Sequence, residues 1–232
     1  MLILTAIYAI ILVKTIIMTG YNMKDKTLYI IRHGETDMNA ELRLQGQVDS
    51  LLNENGIREA KETAKILAEA GIVFSRAYSS SLQRAMNTAK IIAPYVETIP
   101  VPEIMELKFG DYEGLPYSEI DKELWDFIHD PENTDPPETV ERIQSLVART
   151  GGFLERVISG NDSGNILIVT HGIALRSILR NLYGEEAEEN VWAMPIKNCV
   201  VYKVEVCDGK IGEIRRADEL SIENLNDKSK VF

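Results

Sequence analysis

Two patterns of apolar residues alternate along the chain. Short runs of consecutive apolar and β-branched residues are typical of buried strands, and longer segments with an apolar residue every three or four positions are typical of amphipathic helices. The runs predict strands at residues 28–31, 73–79, 98–101 and 165–170, and the periodic segments predict helices at residues 57–70, 80–93, 138–157 and 173–183. This alternation favours an α/β fold, arranged as a three-layer α/β/α domain with a mostly parallel central sheet.

Capping and turn residues mark where several of these elements begin or end. Asn53 is a suitable N-cap for the first helix, and Ser80 and Ser81 are suitable caps for the second. Asp208-Gly209 separates two short apolar segments, and this dipeptide is typical of the turn in an antiparallel hairpin. We therefore expect the last two strands, at residues 199–206 and 210–214, to run antiparallel.

Residues 23–220 carry these patterns and are expected to form one domain of ordinary size. Within that domain, residues 103–137 are punctuated by glycine and proline and show no strong periodicity, which is typical of a lid or binding loop. We expect this segment to form a helical and loop cap insertion. The polar tail at residues 221–232 is expected to fray.

The first 22 residues are mostly apolar but contain Lys14. A membrane span needs about 20 consecutive apolar residues, and a secretory signal needs a basic leader and a cleavage site, neither of which is clear here. Three interpretations stay open: a marginal membrane anchor through residues 1–18, a loosely docked extension, or a true start at Met18 or Met23. We favour the last, because a polar segment leads from Met23 into the first strand, and a membrane partner is not expected.

Composition limits the classes of partner. The chain has 25 Lys and Arg against 36 Asp and Glu, a net charge of −11, so nucleic acid, which binds to basic surfaces, is not an expected partner. The same charge means that any anion site must be made positive locally. Cys199 and Cys207 do not have the spacing of a zinc site, and they are expected to be reduced thiols of a cytoplasmic protein.

Two of the three histidines occur in the same context. His33 and His171 each follow an apolar strand and precede a glycine, whereas His129 lies in a polar segment and is expected on the surface. Because the carboxyl ends of parallel strands meet at one edge of a sheet, the two imidazoles should lie together there. Arg32 precedes one of them, and Arg84 lies near the start of a helix whose N-terminus favours anions. One guanidinium group can bind two phosphate oxygens at once. The sequence therefore predicts a small, positive anion pocket.

A series of motifs strengthens this interpretation. The stretch L-Y-I-I-R-H-G-E-T-D-M-N at residues 28–39 is followed by Gln45-Gly46, by S-x-L-x-R-A-x-x-T-A at residues 80–89, by E-L-K-F-G-D-Y-E-G at residues 106–114 and by Thr170-His171-Gly172. In this order they resemble the motifs of the histidine phosphatase superfamily, the phosphoglycerate-mutase-like proteins. The resemblance runs from about residue 26 to about residue 217 and implies the phosphoglycerate-mutase-like fold.

The resemblance also implies a covalent mechanism through a phosphohistidine. His33 would be the nucleophile, Arg32, Arg84 and His171 would hold the phosphoryl oxygens, and Glu106 would act as the acid and then the base. Glu103 and Glu113 are nearby rivals for the last role, although the family position favours Glu106. The other substrate-binding residues implied are Gly34, Glu35, Thr36, Asn39, Gln45, Gly46 and Gly172. No cofactor is implied and no metal, because the arginines would supply the positive charge.

The resemblance is compatible with two reactions, the hydrolysis of a phosphomonoester and the phosphoryl transfer of a mutase. Residues 115–137 carry seven acidic residues against one lysine, which suits a second phosphate poorly. We therefore expect an acid-type, metal-independent phosphatase that hydrolyses a small phosphomonoester, with a cofactor-dependent phosphoglycerate mutase as the alternative. A non-catalytic phospholigand-binding module is a second alternative, disfavoured because every matched catalytic position is intact. The identity of the metabolite stays open, and a homodimer is compatible with the sequence.

Overall fold

A six-stranded sheet forms the centre of the computed structural model, which describes residues 25–184 and 190–217. The expectations for residues 1–22 and 221–232 lie outside the described residues. The spatial order of the strands is β3-β2-β4-β1-β5-β6. Their bounds are Lys26–Arg32 (β1), Phe74–Ser79 (β2), Thr98–Pro100 (β3), Gly164–Thr170 (β4), Val201–Cys207 (β5) and Lys210–Ala217 (β6).

The first four strands of that spatial order are mutually parallel, and β5 and β6 form an antiparallel hairpin at one side. The predicted mostly parallel sheet and the Asp208-Gly209 hairpin are therefore confirmed. In β1, Leu28 and Ile30 pack into the apolar cluster on one face, and Tyr29 and Ile31 pack into the cluster on the other. A strand that is apolar on both faces needs a layer of helices on each side.

Helices supply both of these layers, which confirms the predicted three-layer α/β/α fold. The α-helices are Asp37–Ala40 (α1), Glu54–Glu69 (α2), Gln83–Ile92 (α3), Lys122–His129 (α4), Ile143–Ser159 (α5) and Gly172–Tyr183 (α6). Helices α2 and α3 cover one face of the sheet, and α5 and α6 cover the other. No helix within 25–184 or 190–217 is long and apolar enough to cross a membrane.

Three helix starts test the predicted caps and boundaries. The Oδ1 atom of Asn53 accepts a hydrogen bond from the N–H of Gly56, which confirms the predicted cap of α2. The predicted cap of α3 by Ser80 and Ser81 is wrong, because α3 begins at Gln83 and has no side-chain cap. The predicted start of α5 at residue 138 is also wrong. That helix begins at Ile143, because the preceding segment is bonded to the loop that follows β3.

The cap segment is attached to the loop after β1 by backbone hydrogen bonds. The N–H of Leu44 donates to the carbonyl of Leu115 at 2.9 Å, the N–H of Gly114 donates to Leu44 at 2.7 Å, and the N–H of Tyr117 donates to Leu42 at 2.8 Å. We call residues 42–44 and 114–117, joined in this way, the loop–cap ladder. It fixes α4 and the short 3-10 turns of the cap beside the end of β1.

Candidate active site

The two strand-end histidines lie side by side, as the parallel pairing of β1 with β4 requires. Arg32 is opposite Thr170 in this pair, so both strands end at the same level and His33 and His171 follow directly. Their ring centroids are 5.0 Å apart, and both side chains are buried. The sequence therefore located the pair correctly from its position at two strand ends.

Local hydrogen bonds fix the tautomer of His33. Its Nδ1 atom is 2.7 Å from the carbonyl oxygen of Gly34, and a carbonyl can only accept, so Nδ1 carries the proton. The Nε2 atom then keeps its lone pair, and the Nε–H of Arg84 points toward it at 3.3 Å. A neutral imidazole with a free Nε2 lone pair is the form that can attack phosphorus.

Burial keeps both imidazoles neutral. It lowers the pKa of His33 well below its usual value of 6.5, and the positive charges of Arg84 and Arg32 lower it further. The pKa of His171 is also held well below 6.5, first by burial and then by Arg84. Above pH 6.5 neither ring carries a charge.

The second histidine has one occupied and one open ring nitrogen. The Nε2 atom of His171 lies 2.7 Å from the hydroxyl of Ser80. Ser80 therefore bonds to His171 and does not cap α3. The Nδ1 atom of His171 and the Nε atom of Arg32 are buried and have no hydrogen-bond partner among the described residues. Buried polar atoms normally have partners, so these two can receive oxygens of a bound phosphoryl group.

The guanidinium of Arg84 connects the nucleophile to the loop after β1. Its Nη2 donates to the carbonyl of Gly46 and its Nη1 to the carbonyl of Val48, both at 2.7 Å. Burial lowers the pKa of Arg84 to about 10, so the group remains charged at neutral pH. The side chain is only 1% exposed, which places a fixed cation beside His33.

Glu106 faces the same cavity as His33 and is held by main-chain N–H groups. Its Oε1 accepts from Leu107 at 2.9 Å and from Ala174 at 2.9 Å, and its Oε2 accepts from Ile173 at 3.2 Å. The last two donors lie in the first turn of α6, an orientation that favours a carboxylate. Three main-chain N–H groups thus fix the orientation of the carboxyl group.

The rival carboxylates have other partners and do not line this cavity. Glu103 forms an ion pair with Arg156, and Glu113 accepts the N–H groups of Gln47 and Phe109 at 3.0 Å each. Of the three candidates, only the side chain of Glu106 reaches the cavity next to His33.

Arg149 on α5 holds the backbone of the loop that carries Glu106. Its Nη1 donates to the carbonyls of Glu103 and Met105 at 2.7 and 2.6 Å, and its Nη2 donates to the carbonyl of Glu106 at 2.9 Å. Its Nε and Nη2 also form a two-point contact with the carboxylate of Glu141. Sequence reasoning did not identify this clamp, which accounts for the late start of α5.

The predicted substrate-binding residues divide into two groups. Those that line the cavity, together with Arg32, His33, Arg84 and Glu106, are Asn39, Gln45, Gly46 and Gly172. The others, Gly34, Glu35 and Thr36, do not line it. The ring of His171 is buried next to His33, and its predicted role in holding phosphoryl oxygens stays a prediction.

Gly34, Glu35 and Thr36 instead connect the loop after β1 to other parts of the protein through hydrogen bonds. The hydroxyl of Thr36 donates to Gln45 at 3.0 Å, the carboxylate of Glu35 accepts from Asn53 at 2.9 Å, and the N–H of Gly34 donates to Thr88 at 3.1 Å. Their polar groups thus have protein partners, and their predicted contact with substrate stays a prediction.

The remaining cavity wall was not predicted from the sequence. The cavity has a volume of about 210 Å³, and its further lining residues are Arg43, Leu44, Phe109, Tyr117, Trp125, Ile128, Ile173, Arg176 and Ile196. The cap residues lie in the segment that was predicted as a lid or binding loop, but its individual side chains were not assigned to the site. Arg176 could have been found, because it lies one helical turn after Gly172 on the same face of α6. No group of three His, Cys, Asp or Glu residues in the described part of the chain could hold a metal ion.

Comparison with known proteins gives a consistent set of similarities. The family model described as "Histidine phosphatase superfamily (branch 1)" matches residues 28–218. The uncharacterized phosphatase PhoE of Bacillus subtilis is 33% identical over 162 residues, which cover 68% of this chain and 78% of that protein. The probable phosphoglycerate mutase GpmB of Yersinia pestis is 33% identical over 184 residues, which cover 77% of this chain and 84% of that protein.

Solved structures share the fold. YhfR of Bacillus stearothermophilus superposes with a TM-score of 0.74 at 27% identity, covering 85% of this chain and 98% of that one. A mutant phosphoserine phosphatase of Entamoeba histolytica in complex with phosphoserine gives a TM-score of 0.71 at 26% identity, covering 86% of this chain and 99% of that one.

Proposed function

The chain belongs to the histidine phosphatase superfamily, and from this premise we propose that it hydrolyses small phosphomonoesters through a phosphohistidine at His33. The observation that carries the proposal is the unprotonated Nε2 of His33, which accepts a hydrogen bond from the Nε–H of Arg84 in a cavity that also contains Glu106. Nucleophile, cation and acid are the three groups that this reaction needs.

The first step transfers the phosphoryl group to the enzyme. The Nε2 lone pair of His33 attacks phosphorus, an N–P bond forms, and the bond between phosphorus and the ester oxygen breaks. Glu106, carrying a proton, donates it to the departing oxygen, so that an alcohol leaves instead of an alkoxide. Glu106 is then a carboxylate, the form that its three N–H contacts accommodate.

The second step returns the enzyme to its starting state. The carboxylate of Glu106 takes a proton from a water molecule, whose oxygen attacks phosphorus and breaks the N–P bond. Inorganic phosphate leaves, and Nε2 recovers its lone pair. During both steps Arg32, Arg84, His171 and the N–H of Gly172 stabilise the phosphoryl oxygens, which does the work that Mg²⁺ does in other phosphoryl-transfer sites.

The relatives support hydrolysis of a small substrate. Neighbouring structures include complexes of the Entamoeba histolytica phosphoserine phosphatase with phosphoserine and with 3-phosphoglyceric acid, and the PhoE relative is an uncharacterized phosphatase. The alternative is a phosphoglycerate mutase, favoured by the similarity to GpmB. Hydrolysis is the better choice, because a mutase must bind a second phosphate and the cap segment is acidic.

A phosphate-release assay distinguishes these functions. We expect the purified protein to release inorganic phosphate from several small phosphomonoesters, and to do so equally well in the presence of EDTA. Interconversion of 2- and 3-phosphoglycerate with bisphosphoglycerate present is the competing measurement. Mutase turnover that exceeds hydrolysis would overturn the proposal, as would an absence of both activities.

The pH dependence of kcat/KM tests the state of the nucleophile in the free enzyme. Because the pKa of His33 lies well below 6.5, Nε2 keeps its lone pair as the pH falls through 6.5, and activity should persist into the acidic range. The substrate phosphate itself titrates near pH 6, so substrates of known phosphate pKa are needed to separate the two ionisations. An enzyme pKa at or above 6.5 on the acidic limb would contradict a neutral, buried His33.

A further inference from the structure

The carbonyl group that receives the Nδ1–H of His33 belongs to a residue with a permissive backbone. Residue 34 is a glycine for a steric reason, because a Cβ atom there would lie 2.5 Å from the carbonyl oxygen of Gly56 on α2. Glycine restrains the rotation of its flanking peptide groups less than any other residue does. The direction of the Gly34 carbonyl, on which the hydrogen bond of His33 depends, therefore needs support from another part of the protein.

Glu59, a half-buried residue of α2, supplies that support. Its Oε2 atom accepts a hydrogen bond from the main-chain N–H of Glu35 at 2.9 Å. That N–H and the carbonyl of Gly34 belong to one planar trans peptide group, in which they point in opposite directions. A carboxylate that holds the N–H therefore fixes the direction of the carbonyl toward His33. Glu59 is thus connected to the nucleophile through a single peptide group.

The first turns of α2 place Glu59 next to this peptide group. Gly56 lies one helical turn before Glu59 on the same face. A Cβ atom on Gly56 would lie 2.1 Å from the carbonyl oxygen of Glu35, so the helix and the loop are in direct backbone contact. The N–H of Asn53 also donates to that carbonyl at 3.0 Å. The helix thus holds Glu35 at both its carbonyl and its N–H, and Glu59 is the residue that holds the N–H.

The peptide group before Gly34 is held by other side chains. The carbonyl of His33 accepts a hydrogen bond from Nδ2 of Asn198 at 2.9 Å, and the N–H of Gly34 donates to the hydroxyl of Thr88 at 3.1 Å. These contacts fix the backbone of His33 but not the carbonyl of Gly34, because the two backbone torsions of the glycine lie between them. The direction of that carbonyl depends on the contact with Glu59.

Glu59 also acts on Arg32 through its charge. Burial lowers the pKa of Arg32, and the carboxylates of Glu106 and Glu59 are among the groups that raise it. This electrostatic effect requires a negative charge, whereas the orientation of the peptide group requires only an acceptor oxygen. Glutamine keeps an acceptor oxygen and removes the charge, so a Glu59→Gln variant separates the two effects.

We propose that Glu59 is a positioning residue for phosphoryl transfer. It holds the peptide group between Gly34 and Glu35 so that the carbonyl of this group receives the Nδ1–H of His33 and fixes the orientation of the ring. This inference rests on the proposed phosphatase function and adds to it a residue that does not line the cavity. Glu59 neither contacts the substrate nor takes part in the proton transfers.

The first test measures kcat/KM for phosphate release from a phosphomonoester that the unaltered protein hydrolyses. Glu59→Met keeps the length of the side chain and the helix propensity, but it has no oxygen to accept the N–H of Glu35. We expect kcat/KM to fall by about tenfold to a hundredfold, because a small misplacement of a reacting group has an effect of this size. Glu59→Gln should keep kcat/KM within about fivefold, since a neutral acceptor only weakens the hydrogen bond.

Glu62→Met is the matched control for these variants. Glu62 lies on the same helix and is exposed, so the same substitution there removes the same charge without touching the loop after β1. We expect kcat/KM to stay within about threefold of its original value, as is usual for surface changes.

The second test observes the Nδ1 proton of His33. A buried, hydrogen-bonded ring proton resonates at low field and exchanges slowly with water. In a proton–nitrogen NMR spectrum of the isotope-labelled protein, recorded above pH 6.5 where the ring is neutral, His33→Ala identifies this signal by its loss. In Glu59→Met the proton should move to higher field and exchange at least about tenfold faster, as the loss of one hydrogen bond predicts. Glu59→Gln and Glu62→Met should leave it nearly unchanged.

Three results would overturn the proposal. The first is a Glu59→Met variant with unchanged kcat/KM, and the second is a fall in kcat/KM while the Nδ1 proton stays unchanged. The third is an equal loss in Glu59→Gln and Glu59→Met, because the charge and not the acceptor oxygen would then be responsible. Since glutamine keeps the size and shape of the side chain, Glu59→Gln alone decides the case where Glu59→Met does not fold.

Failure of this proposal can be told apart from failure of the proposed function. If the unaltered protein hydrolyses phosphomonoesters and kcat/KM does not depend on Glu59, the phosphatase assignment stands and the positioning role is wrong. If the unaltered protein hydrolyses no phosphomonoester, the phosphatase assignment itself fails, and the positioning role fails with it.

Discussion

Replacement of His33 by alanine should lower phosphate release by several orders of magnitude, because a covalent route loses its only nucleophile. The side chain is buried between Arg84 and His171, and neither neighbour can replace it. The guanidinium carries no free lone pair. In the proposed mechanism His171 donates from Nδ1 to a phosphoryl oxygen, while its Nε2 is bonded to Ser80. The measurement is kcat/KM for phosphate release from a phosphomonoester that the unaltered protein hydrolyses readily.

The chain provides a matched control for this substitution. His129 is the third histidine of the sequence and is exposed at the end of α4, so His129→Ala should keep activity within about threefold, as is usual for surface changes. Mass spectrometry of rapidly quenched protein adds a direct readout, since a phosphoryl adduct should appear on the peptide that contains His33. Substantial turnover by His33→Ala, or an adduct elsewhere, would refute the assignment.

Replacement of Glu106 by glutamine should have the second largest effect, a loss of about a hundredfold to ten-thousandfold with an alkyl phosphate, the range of general acid–base catalysis. The glutamine can neither protonate the leaving oxygen nor activate water. It also fits its surroundings poorly, because both carboxylate oxygens of Glu106 accept N–H groups. The amide nitrogen of glutamine would face one of these donors.

The leaving group separates the chemical role of Glu106 from a structural one. From an aryl phosphate with an acidic phenol, the phenolate leaves without protonation. The first step should therefore be affected much less than with an alkyl phosphate. Hydrolysis of the phosphohistidine still needs the base, and the adduct at His33 should therefore accumulate. Glu103→Gln, which changes a nearby carboxylate outside the cavity, is the control. Equal losses with both kinds of substrate, without accumulation, would show that Glu106 acts only by supporting the loop.

The parts of the site that could be predicted are those set by strand ends and short motifs. His33 and His171 were located because two apolar strands end in His-Gly and parallel strands end at one edge. Arg84 was located because it lies at the start of a helix beside that edge. In each case a few neighbouring residues contain the information, and the regular geometry of the sheet brings them together.

The parts that could not be predicted depend on contacts between distant segments. Ser80 has the composition of a helix cap, but its hydroxyl is used by His171, which is 91 residues away in sequence. Residues 138–142 continue a helical pattern, yet Glu141 is held by Arg149 and by the backbone of Lys108. Such contacts override local propensity. The wall formed by Tyr117, Trp125 and Ile128 reaches the cavity because the cap is attached to the loop after β1, which is again a contact between distant segments.

The loop–cap ladder has a consequence for protein engineering. Gly46, whose carbonyl is bonded to Arg84, has a φ of +53°, and a Cβ atom there would lie 2.3 Å from the carboxylate of Glu113. The loop after β1 and the start of the cap thus pack closely and have complementary shapes. A cap transplanted from a relative to change substrate range would meet a loop that it does not match. Chimeras should exchange residues 42–48 together with residues 106–137, so that both sides of the ladder come from one parent.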